Sequence, residues 1–338
     1  MHFLAARASI ILMIATSCLF LDSREVGAFW MPASDNSACE RRTSVAALPR
    51  QRDIHGNNSP QHKASDYILA MGQNLSGASS SRQFSVRAFA EQVIAVAQAG
   101  TFTRLDWEGP GGPSPVFATS LVLISTAYAV DLFDAAGAWS QSERKMVIDW
   151  GNKLDRNQRE KYQYSSLDSL AAIGAAKAAW GSATGQKAIF RQGVKEFDKL
   201  SRRMKSAPMY ESNPRDNNEI IALLLVVAEA AASEGIDLYG KEYNGFTLHD
   251  AVSHHAIQVM QIGPKPIASN EDIARVFFRT SGYTTHLAWM PIYNRRFRNT
   301  EAGANVRNLS IALRRTSAGR LHGTNVGGPT ECLWGRVR

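Results

Sequence analysis

The sequence predicts an all-α fold: an (α/α) toroid, or incomplete helical barrel, with a short irregular or β segment at the C-terminus. Two observations lead to this prediction. Strand-like alternation is scarce until about the last forty residues, and nearly uncharged apolar segments alternate with charged amphipathic ones along the middle of the chain. A helix that is apolar all round must be covered on several sides, whereas a helix with a single apolar stripe faces water. The alternation therefore predicts antiparallel helix pairs arranged as an inner and an outer layer.

The predicted helices follow one another in a simple order. Ser65 is a suitable N-cap for the first helix, and a second helix is predicted over 84–99. The apolar segments are 115–130, 165–180 and 219–232, and the charged segments are 143–156 and 186–205. Further helices are predicted over 247–262, 270–278 and 285–297, followed by a loop or short strand over 319–334.

The N-terminus has the pattern of a secretory signal peptide, predicted over 1–28. Arg7 supplies the positive charge, 9–21 forms a thirteen-residue apolar stretch, and small residues at 26–28 suit cleavage. The apolar stretch is shorter than the roughly 20 residues that a membrane span needs. A lipoprotein signal at Cys18 fits less well, because the usual leucine is missing. We therefore expect a periplasmic or secreted protein with no stable membrane span after cleavage.

Residues 29–64 are polar and lack a hydrophobic period, which predicts a flexible arm before an ordered domain over 65–338. Signal cleavage would leave two cysteines, Cys39 in the arm and Cys332 near the C-terminus. In an oxidising compartment the two could form a disulfide that ties the arm to the end of the chain. Two separate buried thiols are the alternative, because the sequence does not fix their distance.

The positive charge of the chain is concentrated at its end. The formal net charge is +8, and residues 281–338 hold nine arginines, no lysine and only two glutamates. Arginine binds carboxylates through a flat, two-pronged fork. In an exported protein this bias indicates an acidic polysaccharide partner, and export argues against nucleic acid. Ordinary solvated surface charge is the alternative. We expect the protein to be a monomer.

Several enzyme classes are excluded by missing motifs. The chain has no metalloprotease helix, phosphate-binding loop, dinucleotide fingerprint or nucleophile elbow. His249, Asp250, His254 and His255 are clustered, but a third ligand in a defined place is not evident, so no metal site is predicted. No cofactor is predicted either.

Four stretches, taken in order, carry a family resemblance. They read GQKAIFRQGVKEF (185–197), AAASEGIDLY (230–239), AWMPIYNRRFR (288–298) and VGGPT (326–330). Together they resemble the alginate (poly-mannuronate) lyase family, which are helical-toroid enzymes that cleave uronate polysaccharides by β-elimination. The similarity extends from about Trp107 to the C-terminus. It implies an exported polysaccharide lyase with the same toroid fold.

The chain departs from the family at the catalytic motifs. Counting back without gaps, the Asn-Asn-His motif of the family falls on residues 167–169, which here are Leu-Asp-Ser, and the general acid/base tyrosine has no match. β-Elimination needs a donor that neutralises the uronate carboxylate, a base for the C5 proton and an acid for the leaving oxygen. From residue type and position, the candidate catalytic residues are Arg215, Asn217, Asn218, Tyr164 and His286. The candidate substrate-binding residues are Trp107, Trp289, Tyr293, Arg295 and Arg296.

Simpler roles compete with these. Asn217 alone would serve as a helix N-cap, and a tryptophan is more often part of a core than of a sugar site. The sequence is compatible with three alternative functions. The chain is a lyase with a rearranged active site, a non-catalytic protein that binds acidic exopolysaccharide on the same scaffold, or a helical protein-interaction module. The resemblance favours the lyase.

Overall fold

The computed structural model describes residues 39, 42–50, 53–55, 60–106, 115–160, 166–262, 286–314, 321 and 323–334. The predicted signal peptide and the predicted helix over 270–278 lie outside these residues. In chain order the elements are β1 (Asp53–His55), α1 (Pro60–Ser80), α2 (Val86–Gln98), β2 (Arg104–Asp106), α3 (Pro115–Ala136), α4 (Gln141–Glu160), α5 (Leu167–Ala183), α6 (Lys187–Ser201), α7 (Pro214–Ser233), α8 (Leu248–Ile262), α9 (Met290–Phe297), α10 (Glu301–Arg314) and α11 (Thr330–Trp334).

The helices form two layers. Helices α1, α3, α5 and α7 pack side by side in chain order, while α2 packs along α4, and α6 packs along α5 from outside. Nearly every residue of α3, α5 and α7 is buried. Helix α6 instead buries Phe190 and Phe197 and exposes Lys187 and Arg191 on its other face. The predicted (α/α) toroid is therefore confirmed, and the alternation of apolar and amphipathic segments marks its inner and outer helices.

Helix α3 is longer than predicted, because it continues through Ala136 instead of ending at Val130. In the described part of the chain it is the one helix long and apolar enough to cross a membrane, with a mean hydropathy of 1.8. However, 83% of its most apolar window is buried against the rest of the protein. The hydropathy of α3 is therefore that of a core helix.

Small residues let α5 and α6 approach closely. A Cβ atom added to Gly193 on α6 would lie 2.5 Å from the backbone nitrogen of Ala178 and 2.6 Å from the carbonyl oxygen of Gly174, both on α5. A Cβ on Gly181 would similarly lie 2.3 Å from the backbone nitrogen of Phe190. Because these contacts are with backbone, only a shift of one helix could relieve them.

We expect Gly193→Ala to lower the free energy of unfolding by about 1–3 kcal/mol, as overpacking typically does. In an exposed helix the same change would stabilise by about 1 kcal/mol, because alanine has the higher helix propensity. Urea denaturation followed by circular dichroism measures the difference. Gly174→Ala is the matched control, because its added Cβ meets a side-chain atom at 3.1 Å and should cost less. Equal or greater stability of Gly193→Ala would contradict the close packing.

The structure differs from the prediction in three further details. Helix α1 begins at Pro60, five residues before the expected start. A short parallel pair of strands, β1 and β2, was not predicted. The segment predicted as loop or strand contains a bridge between Gly323 and Gly328, a 3-10 turn and the short helix α11. Gly327 has φ +82° and lies against the ring of Tyr128, which explains why glycine occupies this turn.

Cys39 and Cys332 form a disulfide that joins the N-terminal segment to α11. Of the two alternatives that the sequence left open, the structure therefore shows the bonded one. Disulfides persist mainly in oxidising compartments, so this bond is consistent with export.

Candidate functional site

The inner helices α5 and α7 bring their N-terminal turns together at one end of the toroid. Both begin with an acidic first turn, with Asp168 in α5 and Asp216 in α7. Asn213 caps α7 by accepting a hydrogen bond from the Arg215 backbone N–H at 3.0 Å. The free N–H groups and dipole of a helix N-terminus favour negative charge, which explains why carboxylates and anionic ligands suit this end. We call the group Asp168, Arg215, Asn218, Glu219 and His286 the α5/α7 site.

Asn218 is fully buried, and both its Nδ2 and its Oδ1 form hydrogen bonds inside the protein. Its Nδ2 donates to the backbone oxygen of His286 at 2.9 Å. Its Oδ1 accepts from the indole N–H of Trp289 at 2.8 Å and lies 3.0 Å from Nε2 of His255. Burial lowers the pKa of His255 to about 3, so this imidazole is neutral and carries its proton on Nε2. The network therefore holds the backbone of His286 against Asn218 of α7.

His286 is the candidate base of the α5/α7 site. It is partly buried just before α9, and burial lowers its pKa below the usual 6.5, with a smaller contribution from the positive charge of Arg215. A neutral imidazole at neutral pH is suited to accept a proton. The structure thus brings Arg215, Asn218 and His286 together, although they are separated by up to 71 residues in sequence.

Glu219 faces the same group. Its side chain is 12% exposed, and its Oε1 lies 3.6 Å from Nε of Arg215, whose side chain is 56% exposed. Burial raises the pKa of Glu219, and the carboxylates of Asp168 and Asp216 raise it further, while Arg215 opposes the shift. Asp168 differs, because it accepts hydrogen bonds from the Ser166 hydroxyl and, at 2.8 Å, from the Ser169 backbone N–H.

Asn217, the neighbouring candidate, lies fully buried beneath the first turn of α7. Its Oδ1 accepts hydrogen bonds from the backbone N–H groups of Tyr210 at 2.9 Å and Glu211 at 3.4 Å. Its Nδ2 has no hydrogen-bond partner among the described residues. Asn217 therefore holds the loop before α7 against the helix, while the cap itself is Asn213.

The other candidates lie in different places. Trp289 is fully buried under the α5/α7 site and contacts His255 and Asn218. Tyr293 is also fully buried, and its hydroxyl lies 2.7 Å from Nδ1 of His249. Both rings are thus packed inside the protein in this structure. Trp107 and Tyr164 lie outside the described residues.

Arg295 and Arg296 lie at the C-terminal end of α9, near the opposite end of α7. Arg296 forms a two-pronged ion pair with the buried carboxylate of Glu229, at 2.9 and 3.0 Å. Arg295 lies over the ring of Trp334, 5.8 Å from its centroid. Glu229 follows Asn218 by eleven residues, or about 16 Å along a helix. The structure therefore separates these arginines from the α5/α7 site.

The described residues contain no group of three histidine, cysteine or acidic side chains arranged to hold a metal ion. His249 and Asp250, the cluster noted in the sequence, have other contacts. The carboxylate of Asp250 accepts hydrogen bonds from the backbone and hydroxyl of Thr247 at the start of α8. The ring of His249 packs between Tyr239 and Phe297.

Solved structures with a similar architecture include alginate lyases. A complex of alginate lyase A1-III with tetrasaccharide superposes with a TM-score of 0.66 at 16% sequence identity, covering 89% of each chain. A second complex of that lyase with tetrasaccharide gives 0.65 at 16% identity, over 95% of this chain and 92% of the other. The lyase from Sphingomonas species A1 gives 0.61 at 16% identity, over 93% and 90%. This chain shares their α/α toroid fold.

Sequence comparisons add no family assignment. No protein-family model matches the chain, and no curated protein matches it by sequence. At 16% identity the structural likeness concerns the fold, and function must be argued from the residues of the site.

The sequence did not assign Asp168 or Glu219 to the site, and it placed His255 in the histidine cluster rather than beside Asn218. Asp168 was noted only as a mismatch to a motif, although an acidic residue in the first turn of an apolar helix is a recognisable signal. Glu219 was read as the first residue of an apolar helix. Its spacing of four from Arg215, which places both on one helix face, was the available clue. His255 had no such signal, because its partner Asn218 is 37 residues away.

Proposed function

We propose that this chain is an exported polysaccharide lyase that binds an acidic, uronate-containing polymer such as alginate and cleaves it by β-elimination. One observation carries the proposal. The chain has the fold of alginate lyase A1-III over 89–95% of its length, and two of those similar structures are complexes with a tetrasaccharide. A groove of the same toroid, beside the α5/α7 site, is where the polymer would bind.

The α5/α7 site offers the groups that this reaction needs. Arg215 is largely exposed and carries a positive charge with which it can neutralise the substrate carboxylate and acidify the C5 proton. Neutral His286 takes that proton, and Asn218 holds the backbone of His286 in place. Asn218 is therefore a positioning residue in this proposal. Asn217 and Trp289 likewise support the site from beneath.

The candidate sugar-binding residues outside the α5/α7 site would line the rest of the groove. In sequence, Tyr164 lies three residues before the start of α5, and Trp107 lies eight residues before the start of α3. We propose that they contact the sugar in the groove. Arg295, at the end of α9 about 16 Å away along α7, would hold a uronate further along the polymer. Arg296, which is paired with Glu229, and the buried Tyr293 would support that end of the groove from within. The protein would act in the periplasm or outside the cell as a monomer, without nucleic acid.

A non-catalytic binding protein on the same scaffold is the second candidate. The observation that favours it is the internal use of Asn218, whose amide hydrogen bonds all go to the protein. The acidic neighbours of Arg215 also weaken its attraction for a carboxylate. Such a protein would retain polyuronate without cutting it.

Incubation with alginate separates the two functions, because elimination creates a C4–C5 double bond that absorbs in the ultraviolet. We expect absorbance to grow with the wild type, and Arg215→Ala to lower kcat/KM by about 10²–10³-fold, as loss of a transition-state donor does. Arg191→Ala, an exposed arginine on the outer helix α6, is the control and should keep wild-type activity. Retention on a polyuronate column without any absorbance would identify the binding protein.

The pH profile tests His286 separately. A base acts in its deprotonated form, and the pKa of His286 lies below 6.5. Activity should therefore stay high as pH falls through 6.5 and decline only at lower pH.

A further inference from the structure

We propose that Glu219 is the acid that protonates the departing glycosidic oxygen. The assignment rests on the proposed function in one respect, since it places the scissile bond at the α5/α7 site. It adds a residue that neither the sequence motifs nor the family resemblance supplies. It also explains why the Glu219 carboxyl group lies where a polyanionic substrate would bind, since an ionised carboxylate there would repel that substrate.

The position of Glu219 suits this role. It lies on the second turn of α7, four residues after Arg215 and one after Asn218, whose amide anchors His286. One short stretch of α7 therefore carries Arg215 and Glu219 and, through Asn218, also holds the candidate base His286. A side chain that is 12% exposed still reaches a ligand in the groove while being largely removed from bulk water.

The surroundings keep Glu219 protonated more readily than a free glutamate. Burial disfavours its ionised form and raises its pKa, and the negative charges of Asp168 on α5 and Asp216 on α7 act in the same direction. Arg215 opposes them, while His286 is neutral. Environments that drive the pKa of a base down and of an acid up identify the partners of acid–base catalysis.

The two other carboxyl groups are less suited to donate a proton. Asp216 is exposed at the first turn of α7. Asp168 accepts hydrogen bonds from the Ser166 hydroxyl and the Ser169 backbone N–H, so its Oδ1 is already engaged within the first turn of α5. Their function is to supply negative charge next to Glu219.

The step balances without a further reactant. His286 removes the C5 proton, and the electron pair of the C5–H bond forms the C4=C5 double bond. The C4–O4 bond breaks, and O4 takes the proton of the Glu219 carboxyl group, which leaves a carboxylate. His286 returns its proton to solvent and Glu219 regains one before the next turnover.

The test compares the wild type, Glu219→Gln and the control Glu211→Gln on alginate. New reducing ends and C4–C5 double bonds are measured separately, and circular dichroism checks that each variant folds. We expect Glu219→Gln to lower kcat about 10²–10⁴-fold, the usual contribution of a general acid, with KM changed less than threefold. Its residual activity should also lose the decline at high pH that deprotonation of Glu219 gives the wild type. Glu211→Gln should match the wild type in both respects.

The outcomes distinguish this assignment from the proposed function. If Glu219→Gln keeps kcat within threefold, or keeps the decline at high pH, Glu219 is not the acid. If the wild type forms reducing ends without double bonds, and Glu219→Gln does not, the elimination is wrong but the assignment stands, because hydrolysis protonates the same oxygen. If the wild type forms neither product, both are overturned.

Discussion

Loss of the disulfide between Cys39 and Cys332 is expected to lower the free energy of unfolding by about 2–5 kcal/mol. The two cysteines are 293 residues apart in sequence, so the bond closes most of the chain into one loop. In the chain-entropy model a long loop gains more from cross-linking, because the unfolded state loses more conformations. Cys332 is also fully packed in α11, where a serine hydroxyl would be buried in its place.

Guanidinium denaturation of the wild type, Cys39→Ser and the double serine variant, with and without a thiol reductant, measures this effect. Cys39→Ser should be destabilised by loss of the bond, and the double variant somewhat more, because it also buries a serine hydroxyl in α11; the reductant should affect only the wild type. The difference between the double variant and Cys39→Ser measures the packing cost at α11. A wild type whose midpoint does not change on reduction would show that the disulfide itself adds nothing to stability.

The architecture was predictable because it depends on a local property, the distribution of charge around each helix. Helices α3, α5 and α7 are apolar on all sides, and only an inner layer can cover such helices. Helix α6 shows its single stripe in the sequence at Phe190 and Phe197, and the structure buries that stripe. None of this required knowledge of which residues are neighbours across the chain.

The site was less predictable because it depends on contacts between distant segments. The sequence predicted Asn218 as a catalytic residue from its type and position, whereas Trp289 and His255 hold its side chain in an internal hydrogen-bond network. Arg296 looked free to hold a uronate until Glu229, 67 residues earlier, was found to pair with it. Residue type indicates which groups can take part in chemistry, but only the fold shows which are already bonded to one another.

Lys177→Met is expected to destabilise the protein by about 3–5 kcal/mol, which is the usual cost of removing one partner from a buried ion pair. Lys177 is the one basic residue in the apolar helix α5, and it is only 5% exposed. It donates a hydrogen bond to Asp155 of α4, which is 2% exposed. Without Lys177 the buried carboxylate of Asp155 would lose its ion pair with α5, and weaker compensation of a buried charge is strongly unfavourable.

The double variant Asp155→Leu with Lys177→Met separates the cost of a broken pair from the value of the intact one. Replacing both charges by apolar side chains of similar size is often neutral or even stabilising. We therefore expect the double variant to recover most of the stability that Lys177→Met loses, as measured by thermal and urea unfolding. Exposed Lys145, paired with Asp149 on the same helix as Asp155, is the control, and Lys145→Met should change stability by less than about 1 kcal/mol. If Lys177→Met is as mild as that control, water must reach the pair, and the seam between α4 and α5 is less tightly closed than its burial indicates.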